Sequence, residues 1–150
     1  MNMIVDPNSA RKAWLSLLAK AESAALAALW QTRAVPAHNL LRAPEIGGVM
    51  VRGRAGAVGA AFNLGEMTVT RCTVKLACGT VGHGYVQGRD KAHATQAALI
   101  DALMQTDAAP EIDSAILQPL RAATTARRSL RAAKAAATKV EFFTMVRGED

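Results

Sequence analysis

The residues best suited to chemistry gather around one run, Gln87-Gly88-Arg89-Asp90-Lys91, where a β-prone segment gives way to a helical one. A helix amino terminus at this place offers free N–H groups and the positive end of a dipole to an anion. Asp90 is also a good capping residue. A carboxylate in that position repels an anion, so an ordered strand-to-helix turn with Arg89 in an ion pair is an equal reading. Arg71, His83, Tyr85 and His93 join Gln87, Arg89 and Asp90 as the inner candidate set for contact with a partner or ligand, and Arg52, Arg54 and Glu66 form an outer set. Each has a structural alternative. Arg71 and Glu66 can serve in ion pairs, and Tyr85 and His83 in cross-strand packing. His93, on the helix face of Ile100, reads as a packed or capped histidine before it reads as a ligand contact. The glycines from Gly53 to Gly59, flanked by Arg52 and Arg54, can form a backbone nest for phosphate, although such stretches between strands are more often only turns.

Several reaction classes have no support. The chain contains no G-x-x-x-x-G-K-[ST] phosphate loop, no G-x-S-x-G elbow and no H-E-x-x-H metal pair, and no catalytic residue is assigned. Cys72 and Cys78 bracket a single expected strand, which holds them roughly 20 Å apart, whereas a disulfide needs Cα atoms within about 7 Å. Neither paired-cysteine zinc spacing is present, so no metal site is expected.

At 150 residues, 51% hydrophobic and 20% charged, the chain has the size of one domain. Aromatics make up only 4%, so its core must be built from Ala, Leu, Val, Ile and Met. The longest apolar run, Ala24 to Trp30, is far short of the roughly 20 residues of a membrane span. The amino terminus has no basic segment followed by an apolar one, which predicts a cytoplasmic protein. The net charge of +6 equals the charge of one stretch, where Arg121, Arg127, Arg128, Arg131, Lys134 and Lys139 occur without an acid. That stretch reads as a solvated basic helix face or as a contact for polyphosphate or nucleic acid. No interleaved aromatics provide a stacking platform for single strands.

The elements that must position these residues can be read from periodicity. Trp14, Leu17, Leu18, Ala21, Ala25, Ala28 and Leu29 recur at helical spacing after Asn8-Ser9, so the stretch through Trp30 is helical, in one piece or with a second start at Glu22-Ser23. Pro36 and Pro44 disfavour further helix, and Val49 to Ala55 reads as a short strand. Phe62 to Leu64 reads as another. Met67 to Ala77 and Val81 to Gln87 form a hairpin, with Cys78-Gly79 as its two-residue loop. That loop sets Leu76 against Val81, Val74 against His83, Cys72 against Tyr85 and Thr70 against Gln87. On the other side Lys75 meets Gly82 and Thr73 meets Gly84, where missing side chains let a helix approach closely. Asp90 caps a helix running to about Gln105 with Ala97, Ile100, Leu103 and Met104 as its buried stripe. Pro110 and Pro119 interrupt the chain beyond this helix, the basic helix runs to Lys139, and Lys139 to Arg147 reads as a closing strand with Phe142-Phe143 buried. The expected fold is α+β, an antiparallel sheet of three to five strands flanked by N-terminal, middle and C-terminal helices.

Four stretches carry a resemblance from about Arg11 to the carboxyl terminus: Phe62-Asn63-Leu64-Gly65-Glu66-Met67-Thr68-Val69-Thr70-Arg71-Cys72; Gly82-His83-Gly84-Tyr85-Val86-Gln87-Gly88-Arg89-Asp90-Lys91 with His93; Ala98-Leu99-Ile100-Asp101-Ala102-Leu103; and Phe142-Phe143-Thr144-Met145-Val146-Arg147-Gly148. In order and in register, they resemble the PhnG family, the G subunit of the bacterial carbon–phosphorus lyase system. One departure is visible: Gly56-Ala57-Val58-Gly59 stands where that family has Gly-Gly-Thr-Gly, which weakens a phosphate nest there.

The resemblance implies one domain, residues 1–150, in a multiprotein machine for using phosphonates. Such subunits act with the H, I and L subunits to transfer the ribose 5-triphosphate of ATP to methylphosphonate, releasing adenine, before the J subunit cleaves the carbon–phosphorus bond. Displacing adenine builds cationic character at the sugar and calls for acid help to the leaving base. The I subunit carries that chemistry in the family, so this chain is expected to be its direct partner and inactive alone. No cofactor is expected on this chain, and MgATP enters as substrate of the complex. The alternative is a free-standing nucleotide- or nucleic-acid-binding module using the basic helix. A self-sufficient hydrolase would need an acid–base pair that the sequence does not offer.

Overall fold

The computed structural model describes residues 8–140. Helices α1 (Ser9–Lys20) and α2 (Ser23–Trp30) precede strands β1 (His38–Arg54), β2 (Ala61–Leu76) and β3 (Val81–Gln87). Helices α3 (Lys91–Leu103), α4 (Ala109–Ile112) and α5 (Gln118–Ala137) come after them. The fold is α+β, with a three-stranded antiparallel sheet in the order β1-β2-β3. The proposed closing strand with Phe142 and Phe143 lies outside the described residues.

The N-terminal helix divides at Ala21, whose extended backbone (φ −62°, ψ 148°) ends α1. The apolar face nevertheless continues: Leu18, Leu26 and Trp30 enter the same core. The two short strands expected near residues 49–55 and 62–64 are parts of longer ones. β1 spans 17 residues, starting before Pro44, and β2 runs unbroken through Gly65 for 16. Irregular register between Leu40 and Arg42, and between Arg42 and Glu45, takes the chain past Pro44. Bulges of this kind remove the strict alternation that would have marked the strand in sequence.

The β2–β3 hairpin forms, but its register differs by one residue from the expected one. Lys75 faces Val81, Val74 faces Gly82, Thr73 faces His83, Cys72 faces Gly84, Arg71 faces Tyr85, Thr70 faces Val86 and Val69 faces Gln87. The cause is the loop. Leu76 N–H donates to the Thr80 carbonyl, so the turn is Ala77, Cys78 and Gly79, and Gly79 supplies the positive φ of 93°. A three-residue loop ending in a left-handed glycine replaces the two-residue turn. A one-residue slip exchanges cross-strand partners, so Val74 and Cys72 join the two glycines on the buried face.

Those glycines admit α3. A Cβ on Gly82 would lie 2.0 Å from the Ala98 carbonyl oxygen, and one on Gly84 would lie 2.0 Å from that of Ala94. Small residues on both sides, Ala94, Ala98 and Ala102 against Gly82 and Gly84, bring backbone onto backbone. Leu18, Leu26, Trp30, Val74, Val86, Leu99 and Ile100 close the core around this contact, with Ile112, Ile116 and Leu117 at its far end.

Pro119 does not interrupt the last helix. Helical backbone runs from Ala109 through a π turn at Asp113–Leu117 into α5, and Gln118 N–H donates five residues back to the Asp113 carbonyl. A proline would normally clash with the carbonyl four residues earlier, here Ala115. That residue sits in the widened turn.

Candidate functional site

Side chains alternate across a strand, so β2 and β3 sort the candidates onto two faces. Arg71, His83, Tyr85 and Gln87 share the face turned away from α3. Arg71 stands between Glu45 of β1 and Tyr85 of β3. Its guanidinium spreads over Gly47, where a Cβ would lie 3.5 Å from Nη2. Neither Arg71 nor Glu66 forms an ion pair with a described residue, and Arg71 Nε is buried without a hydrogen-bond partner among them. Next to this pair, His83 Nδ1 lies 3.3 Å from Thr73 Oγ1. No carboxylate among the described residues contacts the His83 ring, so the contact lacks the orienting third group of a hydroxyl nucleophile.

The outer set lies farther along the β1–β2 hairpin. Glu66 faces Met50, Arg52 faces Asn63 and Arg54 faces Ala61. At the hairpin end Arg54 Nη1 donates to the Gly59 carbonyl at 3.3 Å, which turns that guanidinium back onto its own loop. Gly56 and Ala57 both have positive φ there, 56° and 66°.

Arg89, Asp90 and His93 occupy the start of α3. Asp90 caps the helix, accepting from His93 N–H at 3.0 Å and from the Ser23 hydroxyl of α2. The Ser23 hydrogen bond, followed by that from His93 N–H, holds the Asp90 carboxyl below its ordinary value. The positive end of the helix is thus satisfied by the chain's own carboxylate. The turn before it is fixed by Thr70 Oγ1 donating to the Gly88 carbonyl at 2.7 Å. His93 is buried, with Nε2 donating to the Leu18 carbonyl at 2.9 Å, which ties α3 to the end of α1. Arg89 is exposed and makes no ion pair with a described residue, so the alternative that held it in one is not realised there.

The strongest polar constellation was missed in sequence. Asp101, fully buried on α3, accepts from Arg11 Nε at 3.1 Å and Nη2 at 2.7 Å. It also accepts from Trp14 Nε1 at 2.9 Å and from His83 backbone N–H at 2.9 Å. One carboxylate thereby joins α1, α3 and the edge strand β3. The available signal was its spacing, four residues after Ala97 on the buried stripe of α3.

No group of three or more His, Cys, Asp or Glu residues that could hold a metal ion occurs among the described residues. The two cysteines are free, Cys72 buried and Cys78 exposed. Burial raises the Cys72 thiol, and a hydrogen bond with the Thr80 hydroxyl lowers that of Cys78. The open sheet face carries Arg71, His83 and Tyr85, and the outer hairpin carries Arg52 and Arg54.

Comparison with known proteins agrees in extent with this geometry. A protein of Rhizobium meliloti (strain 1021), named alpha-D-ribose 1-methylphosphonate 5-triphosphate synthase subunit PhnG, is 45% identical over 141 residues, covering 93% of this chain and 90% of that protein. The model of the family described as phosphonate metabolism protein PhnG matches residues 9–148, from the first turn of α1 past the end of α5, and the chain belongs to that family.

Proposed function

We propose that this chain is the G subunit of an alpha-D-ribose 1-methylphosphonate 5-triphosphate synthase, and that it acts by assembling with the other carbon–phosphorus lyase subunits. The I subunit is its direct partner, and H, J and L belong to the same assembly. MgATP and methylphosphonate are substrates of the complex, and the chain needs no cofactor of its own. The relative's name supports the activity. No described helix is long and apolar enough to cross a membrane. We place the assembly in the cytoplasm, where ATP is available.

The observation that carries an assembly role is the outer half of the β1–β2 hairpin. Beyond the pair Gly47–Val69 it is, among the described residues, a two-stranded ribbon without a third strand. It displays Val58 at 90% exposure, Leu64 at 66%, Met50 at 52% and Phe62 at 45%. A two-stranded hairpin is marginally stable by itself in water. Clustered exposed apolar side chains mark a surface that another protein covers. In this reading bond breaking belongs to the I subunit, as the family resemblance implies, and this chain contributes by assembly.

The ribbon can be tested by co-expressing the chain with the I subunit and purifying through a tag on that partner. The doubly substituted chain Phe62→Ser, Leu64→Ser is expected to keep its melting temperature within a few degrees and to lose co-purification. Full retention of the variant in the complex would contradict a docking role for the ribbon.

A further inference from the structure

A groove of about 520 Å³ lies between α1 and the first half of α5. Its walls carry Lys20 from α1 and Arg121, Arg127, Arg128 and Arg131 from α5, with the hydroxyls of Ser16, Thr124 and Thr125 between them and no acidic residue in the lining. Arg121 is held by Asp113 Oδ1 at 2.8 Å. Arg127, Arg128 and Arg131 have no acidic partner among the described residues. Residues three and four apart on a helix are surface neighbours, about 5–6 Å between Cβ atoms. Arg127, Arg128 and Arg131 therefore hold like charges close together, which is unfavourable until an anion enters.

We propose that this groove binds the phosphate chain of a triphosphate. The row from Arg121 to Arg131 rises about 15 Å along the helix, longer than one orthophosphate and suited to several linked phosphates. Guanidinium groups grip phosphate oxygens through paired N–H donors, and the neighbouring hydroxyls supply further donors. The choice of a triphosphate over other polyanions rests on the proposed synthase role, in which the transferred group carries a 5-triphosphate. The groove lies on α1 and α5, apart from the β1–β2 ribbon assigned to subunit docking, so the two surfaces can be used together.

Calorimetric titration of the full chain with inorganic tripolyphosphate and with orthophosphate, at one fixed ionic strength, tests the site. Three forms are compared: the unaltered chain, Arg128→Gln with Arg131→Gln, and Arg42→Gln with Lys75→Gln, both exposed and outside the groove, as a control of equal charge change. The expected result is saturable tripolyphosphate binding, at least about tenfold tighter than orthophosphate, weakened about tenfold or more by the α5 variant and unchanged by the control variant. Non-saturable binding, or equal weakening by both variants, would overturn the proposal in favour of diffuse charge attraction. Co-purification with the I subunit is measured on the same three forms. An α5 variant that keeps its tripolyphosphate affinity and loses the I subunit would make the groove a protein interface and overturn the proposal, leaving the subunit assignment intact. Saturable groove binding by a chain that never joins the I subunit would support the site while refuting the assembly reading.

Discussion

Asp101 concentrates more structural consequence than any other polar residue described. A carboxylate fully removed from water is costly unless its oxygens are filled, and here Arg11, Trp14 and the His83 amide fill them. Asp101→Asn preserves size but replaces one oxygen with an amide that faces donors. We expect it to lower unfolding stability by about 3 kcal/mol, read as a drop in the urea midpoint with an unchanged slope. A midpoint equal to that of the unaltered chain would show that the clamp contributes little. At this scale the sequence was partly informative. Asp90 as a cap and His93 as a packed residue are legible from position alone, because capping depends on neighbours three residues away. The partners of Asp101 were not legible, since Arg11 and Trp14 lie far from it in the chain. The ion pairs that stood as the structural alternative for Arg71, Glu66 and Arg89 are not made with described residues, because nothing in their spacing fixes a partner across strands.

Among the elements, the contact of α3 on β3 is the tightest. Gly82 and Gly84 leave no room for a side chain, since the atoms in the way are backbone carbonyls that cannot swing aside. Gly84→Ala is expected to cost about 3 kcal/mol or to prevent folding. Gly65→Ala, where nothing lies within 4 Å of the added carbon, should stay within about 0.5 kcal/mol. Thermal unfolding of the two variants checks the contrast, and equal effects would contradict the packing account. The close helix approach was readable from two glycines at alternate positions in a strand. The register was not, because a single residue more in the loop reverses every face while leaving the pattern plausible. The length of β1 was hidden for a related reason: a proline and two bulges break the alternation by which a strand is recognised.

The whole molecule is a small core with two extensions. The core holds α1, α2, α3, the inner sheet and the α4–π turn. The β1–β2 ribbon leaves it on one side, and from Arg121 onward α5 is exposed apart from the half-buried Thr124. Extensions that bury little of themselves gain stability from what covers them. Composition gave the positive charge of α5, but not its freedom from the body, because an Ala-rich helix is equally suited to packing and to solvent. The central claim is that the chain works as an obligate part of a larger enzyme. Its most direct test is to purify the I, H and L subunits with and without this chain, supply MgATP and methylphosphonate, and monitor adenine release together with ribose-phosphonate formation. Product that forms with the chain and disappears when it is omitted is the predicted result; equal product in its absence would contradict the claim.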